Sequence, residues 1–205
     1  MCLQNRADPF GELQANAARG LFMGNRGGKI HDPATKTLLK RKFVSKRWII
    51  CLTDFKGRRR EVMGKGYTEL FFLDEITALA AGHRPCAECR REDFKRFCRA
   101  VAPELGGLPN SDALDVKLHG ERLGKKPEVE GGICRHLPCG AMVAVGAQAF
   151  ARRGALALPW GFGGYGAALE WNEISGQNPV LLTPPTTLAA LRNGYAPVWH
   201  PSAGA

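Results

Sequence analysis

The sequence predicts an α+β protein in two parts, and three features carry that prediction. Capped apolar-periodic segments mark helices at Asp74–Ala81 and near 90–101, with Gly82 just past the first. Short apolar runs bounded by turn residues mark strands, above all Trp48–Leu52 and the glycine-punctuated stretches beyond Ile133. Residues 102–110 hold two prolines and two glycines and read as a linker. Residues 1–105 are therefore expected to form a small α/β metal-binding, basic domain with a β-hairpin insertion. Residues 111–205 form a small mixed α+β module of unassigned role.

In chain order, Phe10–Leu21 is alanine-rich and helix-compatible, and Gly24–Gly28 closes it as a loop. Trp48–Leu52, the turn Asp54-Phe55-Lys56-Gly57 and a return strand Arg60–Met63 read as a hairpin. Asp74 can cap the helix ending at Ala81. Phe94, Phe97 and Val101 recur at spacings of three and four, which places a helix from about Arg90 to Val101. Ser111 or Asp112 can cap a further helix on which Asp115, His119 and Arg122 share a face. Beyond it, Ala141–Phe150, Ala155–Leu158 and Val180–Leu182 suit a small sheet. Thr186 or Thr187 caps a last helix to Asn193, stopped by Gly194.

The chain of 205 residues is long enough to bury a core without disulfides. Its seven cysteines are an odd number without an even framework of spacings, so free thiols or thiolate ligands are favoured over bridges. No leader-like segment opens the chain, and no run of eighteen apolar residues occurs, so the expected setting is cytoplasmic with no membrane partner. The net charge of +10 is concentrated. Eleven bases and two acids between Lys36 and Lys65 account for +9 of it. A stripe of this kind is a candidate phosphate footprint, carried by Lys40, Arg41, Lys42, Lys46, Arg47, Lys56, Arg58, Arg59 and Arg60. The alternative is a solvated basic hairpin with no partner.

Cys86-x-x-Cys89 lets two sulfurs converge on one tetrahedral ion, and Pro85 stiffens the approach. A redox dithiol would want a strand before it and the first cysteine at a helix N-terminus. Here a helix and its glycine stop precede the pair, which favours one zinc ion over a redox pair or unliganded thiols. Among partners for it, Cys51 lies in the apolar strand, where a buried free thiol is the plainer reading. Cys98 lies nine residues beyond Cys89 on a helix, about 13 Å along its axis, too far to share an ion. Cys134, His136 and Cys139 form a second grouping beyond the linker.

The run from Phe71 through Ala78-Leu79-Ala80-Ala81-Gly82-His83-Arg84-Pro85-Cys86 to Cys89 resembles the second half of the Ada-type zinc-binding domain of bacterial DNA alkylation-repair proteins. Gly24–Pro33 looks like the start of its first half, so the resemblance covers residues 22 to 95. It implies His31, Cys86 and Cys89 as ligands, an aromatic strand leading into the helix before the turn, and a role in DNA repair or processing. Where the family sets a second N-terminal ligand, this chain has Thr35. His31 stands where the family's methyl-accepting cysteine would match, and an imidazole has no thiolate to give. His83 takes the place of an aromatic, which implies packing.

Two functions from different classes follow. In the first, a zinc-stapled domain binds nucleic acid, DNA first, through the basic segment 36–65, with Trp48, Phe55 or Tyr67 available to stack on bases. In the second, a metal-dependent hydrolase acts on phosphodiesters or nucleotides, with Asp115, His119 or Glu121 as general base or as a partner orienting a ligand. Surface hydrogen bonding is the plainer role for those three. Trp160, Tyr165, Tyr195 and Trp199 could line a base pocket or simply pack in the core.

Overall fold

The computed structural model describes residues 2–59 and 61–204. The chain is α+β, built on two sheets. The first has strands β1 (Gln4–Ala7), β2 (Leu13–Ala15), β3 (Phe22–Arg26), β4 (Trp48–Leu52), β5 (Leu70–Phe72) and β6 (Arg84–Pro85), in the order β2-β1-β5-β3-β4-β6. It is mixed: β1 pairs β5 and β4 pairs β6 in parallel, and the rest are antiparallel. Pro85 sits in the edge strand β6, where its missing N–H costs no ladder bond.

Helices α1 (Glu75–Ala80), α2 (Arg91–Leu105) and α3 (Ser111–Leu123) follow. The short α4 (Gly131–Cys134) leads into β7 (Met142–Val145), β8 (Gln148–Arg153), β9 (Leu156–Gly161), β10 (Gly164–Tyr165) and β11 (Leu169–Glu170). Then come α5 (Trp171–Ser175), β12 (Val180–Leu181) and α6 (Pro185–Arg192). The second sheet is antiparallel in the order β10-β9-β8-β7-β12, with β11 also on β9.

One core joins Phe22, Ile50 and Phe72 of the first sheet to Phe97 and Val101 of α2, Leu114 and Leu118 of α3, and Ala190 and Leu191 of α6. A second joins Leu73, Ile76 and Ala80 to Met142, Ala151 and Leu158 of the second sheet. Segments on both sides of residues 105–111 therefore share their cores. Truncating a fully buried aromatic such as Phe97 costs about 3–5 kcal/mol.

Asp74 caps α1 as the sequence suggests, accepting from the Thr77 amide at 2.9 Å, and Gly82 ends it at φ 81°. A Cβ on Gly82 would also lie 2.9 Å from the Cβ of Arg122. The second oxygen of Asp74 accepts from the Tyr165 hydroxyl at 2.8 Å and the His200 amide at 3.0 Å. Its neighbour Glu75 accepts from the Tyr195 hydroxyl at 2.5 Å, the Val198 amide at 2.9 Å and Arg90 at 2.8 Å. Trp160 donates to Thr77 at 2.9 Å, and Trp199 packs 5.8 Å from Tyr165. Those four aromatics tie α1 to the second sheet and to the segment around 195–200.

Three sequence expectations are corrected. Phe10–Leu21 contains strand β2 and turns, with no helix. Asp8 accepts the Glu12 amide, Gly11 takes φ 89°, and pairing of β2 with β1 outweighs alanine propensity. The return strand expected at Arg60–Met63 is absent over 61–63, and Arg60 lies outside the described residues. Both edges of β4 are already taken, by β3 and by β6, so no edge is left for a hairpin partner. The linker is also shorter than expected, because α2 runs through Pro103 to Leu105 before Gly106 stops it at φ 71°.

Candidate metal centre

Strand register assembles the centre. β4 and β6 run parallel with Ile49 opposite Arg84 and Ile50 opposite Pro85, and the Cys86 amide donates to Ile50 O at 2.9 Å. Continuing that register by one residue sets Cys51 beside Cys86. The turn after β6 closes with the Arg90 amide on Cys86 O at 3.1 Å, which swings Cys89 back toward both. The three sulfurs lie within 4.8 Å of one another. A tetrahedral zinc with sulfurs at about 2.3 Å needs sulfur–sulfur separations of about 3.8 Å, so this donor set fits with small side-chain adjustment.

The local electrostatics favour a cation. Hydrogen bonds from Cys51 and Cys89 hold the Cys86 thiol well below its ordinary range, helped by backbone N–H groups of Cys89 and Glu88. The Glu88 amide lies 3.4 Å from the Cys86 sulfur. Donation to Cys86 and Cys89, together with burial, pushes Cys51 up. At Cys89 the bond from Cys51 pulls down, while its own bond to Cys86 and burial push up, and the upward causes prevail. Negative charge thus gathers on Cys86, at the point where the three sulfurs converge.

The lead-in is rigid. Arg84, 3% exposed, makes a two-pronged ion pair with Asp115 of α3 at 3.0 and 2.7 Å, and Arg90 pairs with Glu75 at 2.8 Å while lying on the Phe22 ring. Each arginine just outside the cysteine turn is thereby anchored to the core. A cavity of about 230 Å³ opens on the sulfurs, lined among others by Phe55, Arg58, Tyr67, Glu69 and Glu88. A wider groove of about 670 Å³ shares Asn25, Ile49, Tyr67, Cys86 and Glu88 with it and extends to Arg47 and Ser111.

The sequence-derived residues divide clearly. Cys51, Cys86 and Cys89 meet, whereas His31 does not join them. Its Nε2 donates to Gly64 O at 2.8 Å, and its Nδ1 accepts from the Thr68 hydroxyl at 2.6 Å. His31 latches the 61–68 loop onto the loop after β3, so both nitrogens are occupied. Cys98 is in the core, as its helical position suggested. Among the described residues, Cys134, His136 and Cys139 form no grouping able to hold an ion: Cys134 is buried in a separate core and Cys139 is exposed.

Asp115, His119 and Glu121 do not converge on the sulfurs. Asp115 is held by Arg84, His119 packs edge-on against Phe43 at 4.8 Å, and Glu121 accepts the Thr186 amide and hydroxyl at the start of α6. Of the basic residues, Lys42 pairs with Glu12 at 3.0 Å, Arg47 with Asp112 at 3.0 Å and Arg58 with Glu88 at 2.7 Å. Lys40, Arg41, Lys46, Lys56 and Arg59 are exposed and have no ion pair among the described residues. These bases lie on two loops flanking β4, one before it and one after it.

His83 was legible as packing and proves so: it is fully buried between Trp48 at 5.0 Å and Phe72 at 4.8 Å. What the sequence did not reveal is Glu69 in the cavity. Its alternation with Phe71 along the segment entering β5 was the available signal. No family model matches the chain, and no curated protein or solved structure matches it either.

Proposed function

We propose that the chain is a zinc protein, with the ion held by Cys51, Cys86 and Cys89, that binds single-stranded nucleic acid, DNA first, along the groove beside the centre. The observation that carries this reading is the continuity of that groove. It runs from Phe55 and Arg58, past the sulfurs, to Arg47, and the exposed Lys56 and Arg59 belong to the loop that lines it. Cations would track phosphates, and Phe55 or Tyr67 would offer a face to bases. The resemblance to an Ada-type domain is retained for α1, the cysteine turn and the start of α2, without methyl transfer and without His31 as a ligand. In the test, binding of fluorescent oligodeoxynucleotides and oligoribonucleotides is followed through a KCl series. Log affinity should fall linearly with log salt; a flat response, or no binding at low salt, removes the nucleic-acid half. Metal analysis of wild type and Cys86→Ala tests the other half, which fails if the variant keeps its full metal.

A second reading, metal-dependent hydrolysis of phosphodiesters or nucleotides, is favoured by one observation. Among the described residues three protein sulfurs converge, and the buried Glu69 lines the same cavity. Zinc with three protein ligands would supply an acidified water. Turnover of labelled DNA or RNA that is absent or indifferent to chelator rejects it.

A further inference from the structure

The opposite face of the first sheet carries a second, chemically different site. Strand alternation separates the two: on β3 and β4, Met23, Asn25, Ile49 and Cys51 line the metal cavity, while Arg26 and Trp48, directly cross-strand from each other, turn to the other side. There they border a cavity of about 470 Å³ between the first sheet, the end of α3 and the segment entering α6. Five bases line it, Arg26, Lys42, Arg122, Lys125 and Lys126. Among the described residues Glu12 and Glu121 are the acids that line it, which leaves the lining at +3.

Both acids are already engaged, Glu12 with Lys42 and Glu121 with Thr186. Three of the bases form no direct ion pair among the described residues, although Glu12 and Asp8 lie near Arg26 and Lys126, and Asp115 and Glu121 near Arg122. Arg26, 2% exposed, donates to Gly11 O at 2.7 Å and leaves its Nε without a partner. Arg122 donates to Lys46 O at 3.1 Å and Leu118 O at 3.1 Å and leaves Nη1 without one. Lys126 donates to Phe10 O at 2.9 Å. The two guanidiniums lie on the Trp48 ring at 4.0 and 4.5 Å. Burying or half-burying cations whose direct hydrogen bonds go to carbonyls, with donor atoms left over on Arg26 and Arg122, is costly, and an anion in the cavity would relieve it. Burial also depresses all three, Arg26 to about 10 and Arg122 to about 9.

We infer that this cavity binds a phosphorylated small molecule of nucleotide size, its phosphate held by Arg122 and Lys126 against the buried charge of Arg26. The volume falls within the range of small-molecule sites. Phe10 and Phe43 in its wall offer apolar surface to the body of such a ligand. The inference does not depend on the metal centre or on the groove.

Calorimetric titration of the full chain with pyrophosphate, adenosine 5′-monophosphate, adenosine and a 5′-phosphorylated oligothymidylate tests it, at matched ionic strength. Saturable binding of pyrophosphate and the monophosphate, with adenosine at least tenfold weaker, is expected. Lys126→Gln and Arg122→Gln should each weaken it at least tenfold while the melting profile shows a folded protein. Cys86→Ala should leave it unchanged wherever that variant folds. Saturable binding of only the oligonucleotide, binding equal for adenosine and its monophosphate, or affinity unaltered in the folded Lys126→Gln protein would overturn the assignment.

Discussion

The two faces of the first sheet handle charge in opposite ways. On one face three thiols gather negative charge at a point that a cation can neutralise. On the other, the guanidiniums of buried Arg26 and half-buried Arg122 are stacked on Trp48 and hydrogen-bonded to carbonyls, with no direct carboxylate bond among the described residues. The same strands build both, because successive residues point to opposite sides. One backbone registration therefore fixes two sites, and what perturbs a side chain on one face should leave the other intact.

The largest expected effect tests the proposed ion. A metal clip between Cys51 and Cys86 closes a long loop, which in the chain-entropy picture is worth about 4 kcal/mol. Cys86→Ser, or chelation of wild type, should lower the melting temperature by roughly 10 °C and abolish zinc content. Unchanged melting with metal gone would show that the sulfurs do not clip the fold. Next is Asp115→Asn, which strips the partner from buried Arg84 and should destabilise by about 3 kcal/mol in denaturant titration. Zinc should still bind in the folded fraction, since Asp115 touches no sulfur; metal loss from folded protein would make the ion pair part of the centre.

A smaller effect separates the faces by pH. Burial and the neighbouring Arg26 and Arg122 hold His83 well below its ordinary 6.5. The folded state keeps it neutral, whereas the unfolded chain takes up its proton below that value. Stability from this group is thus present above about 6.5 and lost as pH falls, at about 1.4 kcal/mol per unit. His83→Phe should flatten that slope in melts followed between neutral and mildly acidic pH; an unaltered slope would place the acid sensitivity elsewhere. Smallest is Lys56→Ala, which should reduce the salt slope of oligonucleotide binding by about 0.7 and leave thermal stability alone, with an unchanged slope removing Lys56 from the interface.

Elements with local chemistry were legible in the sequence. The Asp74 cap, the Gly82 stop and the spacing of Phe94, Phe97 and Val101 placed α1 and α2 because each signal acts within a turn or two. The cysteine pair was legible for the same reason. Cys51 could be named but not joined to the pair, since its place depends on β6 lying parallel to β4, a pairing that no adjacent residue encodes. The hairpin failed because turn chemistry at Asp54–Gly57 says nothing about which edges of β4 are free. His31 carried a likeness in sequence without the loop geometry that would bring it to the sulfurs. The basic cavity escaped notice because its residues come from β3, α3 and the chain just after α3.

Asp74 and Glu75 give the fold an order of assembly. Their buried carboxylates sit at the start of the helix that leads into the cysteine turn, yet three of the seven hydrogen bonds they accept come from residues about 120 positions later. During synthesis, a chain that has emerged only as far as the cysteines holds two acidic groups of which Asp74 has Thr77 alone as a partner and Glu75 has none. The Arg90–Glu75 pair that braces the turn is then incompletely held until Tyr195 and Val198 dock on Glu75. Full support of the cysteine turn thereby waits for residues 195–200, and contacts this distant in sequence make that step slow.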